Sequence, residues 1–473
     1  MKAFKIILSL LLVVLAGFLI FYSINASDLS TLLKDIVPQE TMQQDKGLQK
    51  AVKRINDSLA EANQDKTLRS LNRLLEDFSD KIQMDAEAKL DLFFYRNNKV
   101  TLAFALFILI LSAALIASAL LKQQKYQKVV IMAVLIALLY SGIYIVENLV
   151  GSNSMLMTVL KKGAIYALLA VSMNLLNGFT GLFSLGQAGF MLIGAYTYAI
   201  FTIDPASRAQ VYQYYDGGLV QFTLPVMVAI ILAGLAAAFF AFLIGLPVLR
   251  LKSDYLAIAT LGFAEIIRAI FQYDGLGPIT NGSNLLRKFT TFNTALFPFA
   301  ISGICIALIA LLINSTYGRS FKAIRDDEVA AEAMGINLFV HKQLAFVISS
   351  FFAGIGGALL AMYQTTVQAA AFTSAMTYEI LLIVVIGGMG SISGSVLASF
   401  LFVASSEWWL RFLDNVTYIG TFKVPLLRSG FRMVVFSVII MAVVLFYRKG
   451  IMGDKEFSLK RLMEPRKGGK RRG

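Results

Sequence analysis

Apolar runs about as long as a bilayer is thick recur along this chain, and they decide which solvent it can fold in. Residues 4–22, 99–121, 129–149, 224–248, 295–314, 342–366 and 429–447 are each nearly free of charge. A helix rises about 1.5 Å per residue, so roughly twenty residues cross a hydrocarbon core of about 30 Å. A further run at 255–273 has the length but carries Glu265 and Arg268. Hydrophobic residues make up 57% of the 473 and charged ones only 15%, with a mean hydropathy of +0.70. So much apolar surface needs lipid as a second solvent. The sequence predicts an all-α polytopic membrane protein with about eight to ten transmembrane helices plus broken or re-entrant half-helices.

The broken pieces are explicit. Residues 163–203 hold two apolar segments split at Gly178–Gly181, and 379–404 hold two shorter ones split by the glycine-rich stretch Gly387–Gly394. Glycine costs a helix about 1 kcal/mol against alanine, so four in eight residues predict a break. Irregular backbone at membrane depth needs protein or a wet cavity to satisfy its polar groups, which makes such breaks pointers to a transport pathway. The plainer reading is that small residues let membrane helices pack closely, which alone could explain Gly186, Gly189 and Gly194. At Gly387–Gly394 the pathway reading is preferred, because the glycines are too dense for one packing contact. An exposed half-helix N-terminus there would suit a substrate carboxylate, and unwound carbonyls its ammonium.

Charge divides the chain further. Residues 1–23 read as a signal-anchor helix. Residues 24–98 read as a soluble helical insertion, and 99–160 as two accessory spans. Residues 161–447 form the main membrane unit and 448–473 a basic tail. That tail holds ten Lys/Arg against three Asp/Glu, half of the net +14. Basic residues beside spans stay in the cytoplasm, so the cluster reads as a membrane anchor rather than a nucleic-acid site. With the basic loops inside, the broken pairs enter and leave on the outer side. Lys161 and Lys162 then fall on the wrong side.

The loop 316–342 carries the densest polar pattern. Asp327 is placed to cap a short helix starting at Glu328, and Gly335 to stop it. Ala330, Ala331 and Ala333 give that helix a small-residue face open to another protein, or it is an ordinary amphipathic loop helix. Glu265 and Arg268 lie three apart on one helical face and can pair, either as a pathway or gating pair or as a structural ion pair.

The stretch Ala330-Ala-Glu-Ala-Met-Gly335 resembles the cytoplasmic coupling motif of ATP-binding-cassette importer permeases. Four further segments resemble the branched-chain amino acid permeases of LivM type: 173–181, 184–196, 249–268 and 386–394. The similarity runs from about Lys161 to Met452. It does not extend to 24–98, and Lys449 stands where the family often has proline. The resemblance implies a transport subunit in a bacterial inner membrane. Its implied partners are two ATPase subunits, a second homologous permease and an extracytoplasmic substrate-binding protein. ATP and magnesium would sit on the ATPase partners, with no cofactor on this chain. Arg319, Arg325, Asp327, Glu328, Ala331, Glu332 and Gly335 become candidates for ATPase coupling. Asn177, Gly178, Gly181, Gly186, Glu265, Arg268, Gly387, Gly388 and Gly390 become candidates for the substrate pathway. Permeases for urea, amides or other amino acids share this branch, and a proton-coupled carrier is the competing class.

No phosphate-binding G-x-x-x-x-G-K-[ST] loop occurs. One histidine, His341, and one cysteine, Cys305, offer no metal or nucleophile constellation, so no catalytic residues are expected.

Overall fold

A computed structural model describes residues 46–60, 137–148 and 154–409, apart from 216, 251–252 and 293, together with isolated positions and short pieces at 418–419, 422–423, 450–453 and 456. The expected signal anchor, the run at 99–121, the last run at 429–447 and most of the insertion and tail lie outside the described residues. The chain separates into two compact units, 1–151 and 152–473.

In the first unit, α1 (Lys46–Ala60) buries Val52 and Ile55, three apart on one face, and exposes Lys50, Lys53 and Arg54. Residues 137–148 are also helical.

The second unit is a helical bundle. Its helices are α2 (Met155–Asn174), α3 (Gln187–Thr202), α4 (Pro205–Val211), α5 (Val226–Val248), α6 (Ser253–Gln272), α7 (Gly277–Thr280) and α8 (Leu296–Ile313), followed by α9 (Thr316–Asp326), α10 (Glu328–Ala333), α11 (Leu338–Gln364), α12 (Ser374–Gly387) and α13 (Ile392–Ala404). A two-residue hairpin pairs Tyr418–Ile419 with Phe422–Lys423. Among the described residues five helices are long and apolar enough to cross a membrane: Met155–Phe179, Val226–Val248, Tyr255–Gln272, Leu296–Ile313 and Leu338–Gln364.

The packing is that of a protein in lipid. α5 turns Ala229, Ala233, Gly234, Ala237 and Ala241 inward and leaves Met227, Ile231, Leu235 and Phe239 exposed. Large apolar side chains outside and small ones inside suit a hydrocarbon solvent, where close backbone approach supplies the attraction. The same rule brings α3 against α11: a Cβ on Gly194 would lie 2.1 Å from the Gly354 carbonyl, and one on Gly357 would lie 2.1 Å from the Met191 carbonyl. α3 therefore runs through the centre of the bundle, buried on nearly every side.

Several polar groups inside pair across helices. Gln187 Nε2 donates to Ser172 Oγ at 2.9 Å, Ser349 Oγ to the Ser172 carbonyl at 2.7 Å, and Ala188 N–H to Thr377 Oγ1 at 3.0 Å. These bonds tie α2, α3, α11 and α12 together. Lys162, on the wrong side for a loop charge, is not in a loop. It pairs with Glu407 at 2.5 Å and lies over the Tyr166 ring. Lys161 is buried. Both sit within α2, and the rule that sorts charges by side applies to loops.

At one end the loops 203–225, 277–295 and 365–373 knit into a cap. Arg208, 2% exposed, donates to the carbonyls of Ile200, Ile203, Val220 and Phe222. Tyr212 Oη donates to the Ile279 carbonyl at 2.9 Å, and burial pushes its hydroxyl up to about 12, so it stays a neutral donor. Backbone bridges join Ile203 to Phe289 and Leu286 to Val367.

Candidate functional site

The opposite end, marked by Arg325, brings most of the sequence-predicted residues together. α2 does not stop at Gly178. It continues through a π-turn, Leu175–Phe179, and reverses at 180–186 before α3. The first break is therefore the tip of a helical hairpin whose leading arm is a full span of 25 residues. Asn177 closes the reversal, accepting from Ser184 N–H at 3.2 Å. Leu185 N–H donates to Thr260 Oγ1 of α6 at 3.0 Å, and Gly186 packs against the same residue.

The second break, between α12 and α13, abuts the first. Asn174 is wholly buried and links them: its Oδ1 accepts from Gly390 N–H at 2.8 Å, and its Nδ2 donates to the Ser391 carbonyl at 2.9 Å and to Ser395 Oγ at 2.8 Å. Gly178 must be glycine for this approach. A Cβ there would lie 1.8 Å from Asn174 Oδ1 and 2.5 Å from Gly390 N. Gly387 meets Gly394 equally closely, so the two arms of the turn touch through backbone.

The half-helix N-terminus expected to await a substrate carboxylate is filled by the chain itself. Ile392 N–H and Ser393 N–H donate to the Glu456 carboxylate, and Gly394 N–H donates to Ser391 Oγ. The Ser391 carbonyl accepts from both Asn174 and Ser395. The donors at the start of α13 and this carbonyl are thus engaged within the chain, and the turn forms a joint with α2.

Arg325 connects this joint to the polar loop. Its Nη1 donates to the Gly178 carbonyl at 3.3 Å, its Nη2 pairs with Asp326 at 2.9 Å, and its stem lies against Gly181. Beyond it Asp327 caps α10, accepting from Val329 N–H at 2.9 Å and Ala330 N–H at 3.0 Å. Gly335, with φ of 85°, takes the chain out of the helix. Glu328 pairs with Lys342 of α11 at 2.6 Å. The alanines do not share one open face. Ala331 turns inward as the anchor, because the short helix needs one side against α11 and α9, while Ala330, Glu332 and Ala333 remain exposed. Val329 is 78% exposed and Met334 83%. Arg319, on α9, is exposed as well.

Glu265 and Arg268 do pair, at 2.6 Å, but apart from this joint. They lie on the half-exposed flank of α6, whose buried face is Leu256, Ala257, Thr260, Ala264 and Ile267. His341 Nδ1 lies 2.8 Å from the Asn337 carbonyl, within the first turn of α11. Asn174, Ser391, Ser395 and Glu456 were not singled out from sequence. Asn174 had a signal, an amide inside an apolar run. Glu456 had none.

A sequence profile of the branched-chain amino acid transport system permease component matches residues 155–446. The LivM permease protein of the high-affinity branched-chain amino acid transport system of Escherichia coli (strain K12) is 35% identical over 278 residues, covering 51% of this chain and 61% of that protein. A probable branched-chain amino acid transport permease protein LivM of Methanocaldococcus jannaschii is 23% identical over 326 residues, covering 62% of this chain and 91% of that one. A nucleoside ABC transporter permease protein, NupC, of Lactococcus lactis subsp. cremoris is 21% identical over 198 residues, covering 38% of this chain and 59% of that one. The chain thus spans about three-fifths of the length of its Escherichia coli relative. No solved structure matches it. On the match over 155–446, more than half its length, the chain belongs to the family of branched-chain amino acid transport system permease components.

Proposed function

We propose that this chain is the membrane-spanning permease subunit of an ATP-binding-cassette importer for branched-chain amino acids in a bacterial inner membrane. The observation that carries the reading is α10. It is a capped helix outside the apolar spans, with Val329 and Met334 almost fully exposed, joined through Arg325 to the joint between α2 and α13. Exposed apolar residues on a polar helix suit a protein partner. The proposed partner is one of two ATPase subunits, which hold ATP and magnesium and do the hydrolysis. This chain contributes no catalytic group.

In the proposed cycle, movement of α9 and α10 on the ATPase pulls on the Gly178 carbonyl. Asn174 passes that displacement to Gly390 and Ser391. The opposite cap, held by Arg208, receives the substrate-binding protein. The pathway follows the α6 flank that carries Glu265 and Arg268 and is completed by a second permease. The family of relatives supports leucine, isoleucine and valine as cargo, and the nucleoside permease names the alternative to test.

Uptake of labelled leucine by cells lacking and regaining this chain tests the reading. Restored uptake, competed by isoleucine and valine and abolished by ATP depletion, is expected. Uptake that persists without ATP but collapses with the proton gradient would overturn it, and competition by nucleosides alone would change the cargo.

A further inference from the structure

The segment after the last apolar run lies against the α12–α13 joint, outside the residues matched by the family profile. Ile451 N–H donates to the Ile386 carbonyl at 2.8 Å, and Met452 N–H to the Gly387 carbonyl at 3.2 Å. These carbonyls end α12 and would otherwise lack partners. Five residues on, Glu456 Oε1 accepts from Ile392 N–H at 2.6 Å, and Oε2 accepts from Ser393 N–H at 3.1 Å and from Ser393 Oγ at 2.7 Å. A carboxylate on a helix N-terminus is favoured by the free N–H groups and by the helix dipole. One short segment thus satisfies the C-terminus of α12 and the N-terminus of α13 together. The fit is close on both sides. Gly388 takes φ of 113°, and a Cβ there would lie 2.6 Å from the Gly453 carbonyl.

We propose that residues 450–453 and Glu456 form a strap that holds the α12–α13 joint, with Glu456 as the positioning residue that caps α13, and that the strap stays seated throughout transport. It makes the joint a rigid block. Motion arriving from Arg325 through Asn174 then moves α12 and α13 as one body instead of opening the turn between them. Glu456 is not a substrate ligand, and the anion site at the start of α13 is closed to substrate.

The strap's role in transport rests on the permease reading, but its seating does not, so the test has two readouts. The full-length Ser393→Cys/Glu456→Cys chain is treated in native membranes with a short bifunctional thiol reagent. Cys305, the one natural cysteine, is buried and stays out of the reaction. Efficient cross-linking, with labelled-leucine uptake no lower than in the same variant before the reagent, is the expected result. Failure to cross-link, with both thiols reactive toward a monofunctional reagent, would overturn the strap. Cross-linking that stops uptake, while each single-cysteine variant survives the reagent, would overturn its staying seated. In the uncross-linked protein Glu456→Ala should lower maximal uptake several-fold at unchanged KM, with partial rescue by Glu456→Gln. A change in KM alone would instead place Glu456 at the substrate. If the wild type takes up no leucine, the cross-link still reads the strap while the permease reading fails.

Discussion

Asn174 is the side chain on which the Arg325 end most depends. Its amide serves Gly390, Ser391 and Ser395 at once, in a place water does not reach. Asn174→Ala leaves the buried Gly390 N–H without an acceptor, and such a loss costs about 1–3 kcal/mol per orphaned group. The variant is expected to unfold several degrees lower in detergent. An unchanged melting temperature would mean that the amide network contributes nothing. Gly178→Ala acts at the same place by overlap rather than loss, since the new methyl would meet Asn174 Oδ1 and Gly390 N. It should lower the yield of folded protein more than Asn174→Ala does, measured by size-exclusion profile. Both residues stand in the 173–181 motif, yet of the two only Gly178 drew attention in the sequence. A glycine announces a break by itself, whereas the amide's importance lies in partners more than 210 positions away.

Among the elements, α10 was the most legible. Asp327 and Gly335 are local signals, and a cap and a stop act on the neighbouring turn, so both boundaries could be read directly. Which alanine turned inward could not, because that depends on where α11 passes. Docking and transmission should separate by mutation. Asp327→Ala removes a cap worth about 1 kcal/mol and should loosen α10 without moving the melting temperature of the bundle. ATPase co-purification should weaken in proportion, and an undiminished ATPase signal would count against α10 as the docking element. Arg325→Ala cuts the bond to the Gly178 carbonyl while leaving Val329 and Met334 in place. ATPase binding should persist in that variant and leucine uptake should fall. Equal loss of both would mean that Arg325 only holds α9 in place. The Glu265–Arg268 pair was legible as a pair because i,i+3 spacing is local. Its standing apart from the glycine joint was not, because that is set by how α6 leans on α3.

For the molecule as a whole, the apolar runs foretold four of the five spans of the described bundle because length and hydropathy are properties of a segment alone, whereas Met155–Phe179 was read as a half-helix from 163 and is a full span. The two ends of the bundle are built differently, and neither was visible in advance. The cap around Arg208 joins loops from three parts of the chain, and the joint at the other end joins four. Contacts of that kind, like Lys162 with Glu407, leave no periodic trace in a sequence. The division of labour they imply is testable. Arg208→Met strips the donor from four carbonyls, so the cap should become sensitive to protease while the Arg325 end keeps its ATPase. Loss of the ATPase in that variant would show that the ends are not independent. The central claim is that α10 is where a separate ATPase drives this permease. It is tested most directly by purifying the tagged full-length chain from its native membranes and identifying its companions by mass spectrometry, beside a Val329→Asp/Met334→Asp variant. ATPase subunits and a second permease are expected with the wild type, and the second permease without the ATPase in the variant. A wild type that brings down no ATPase, or a variant that retains it in full, would contradict the account.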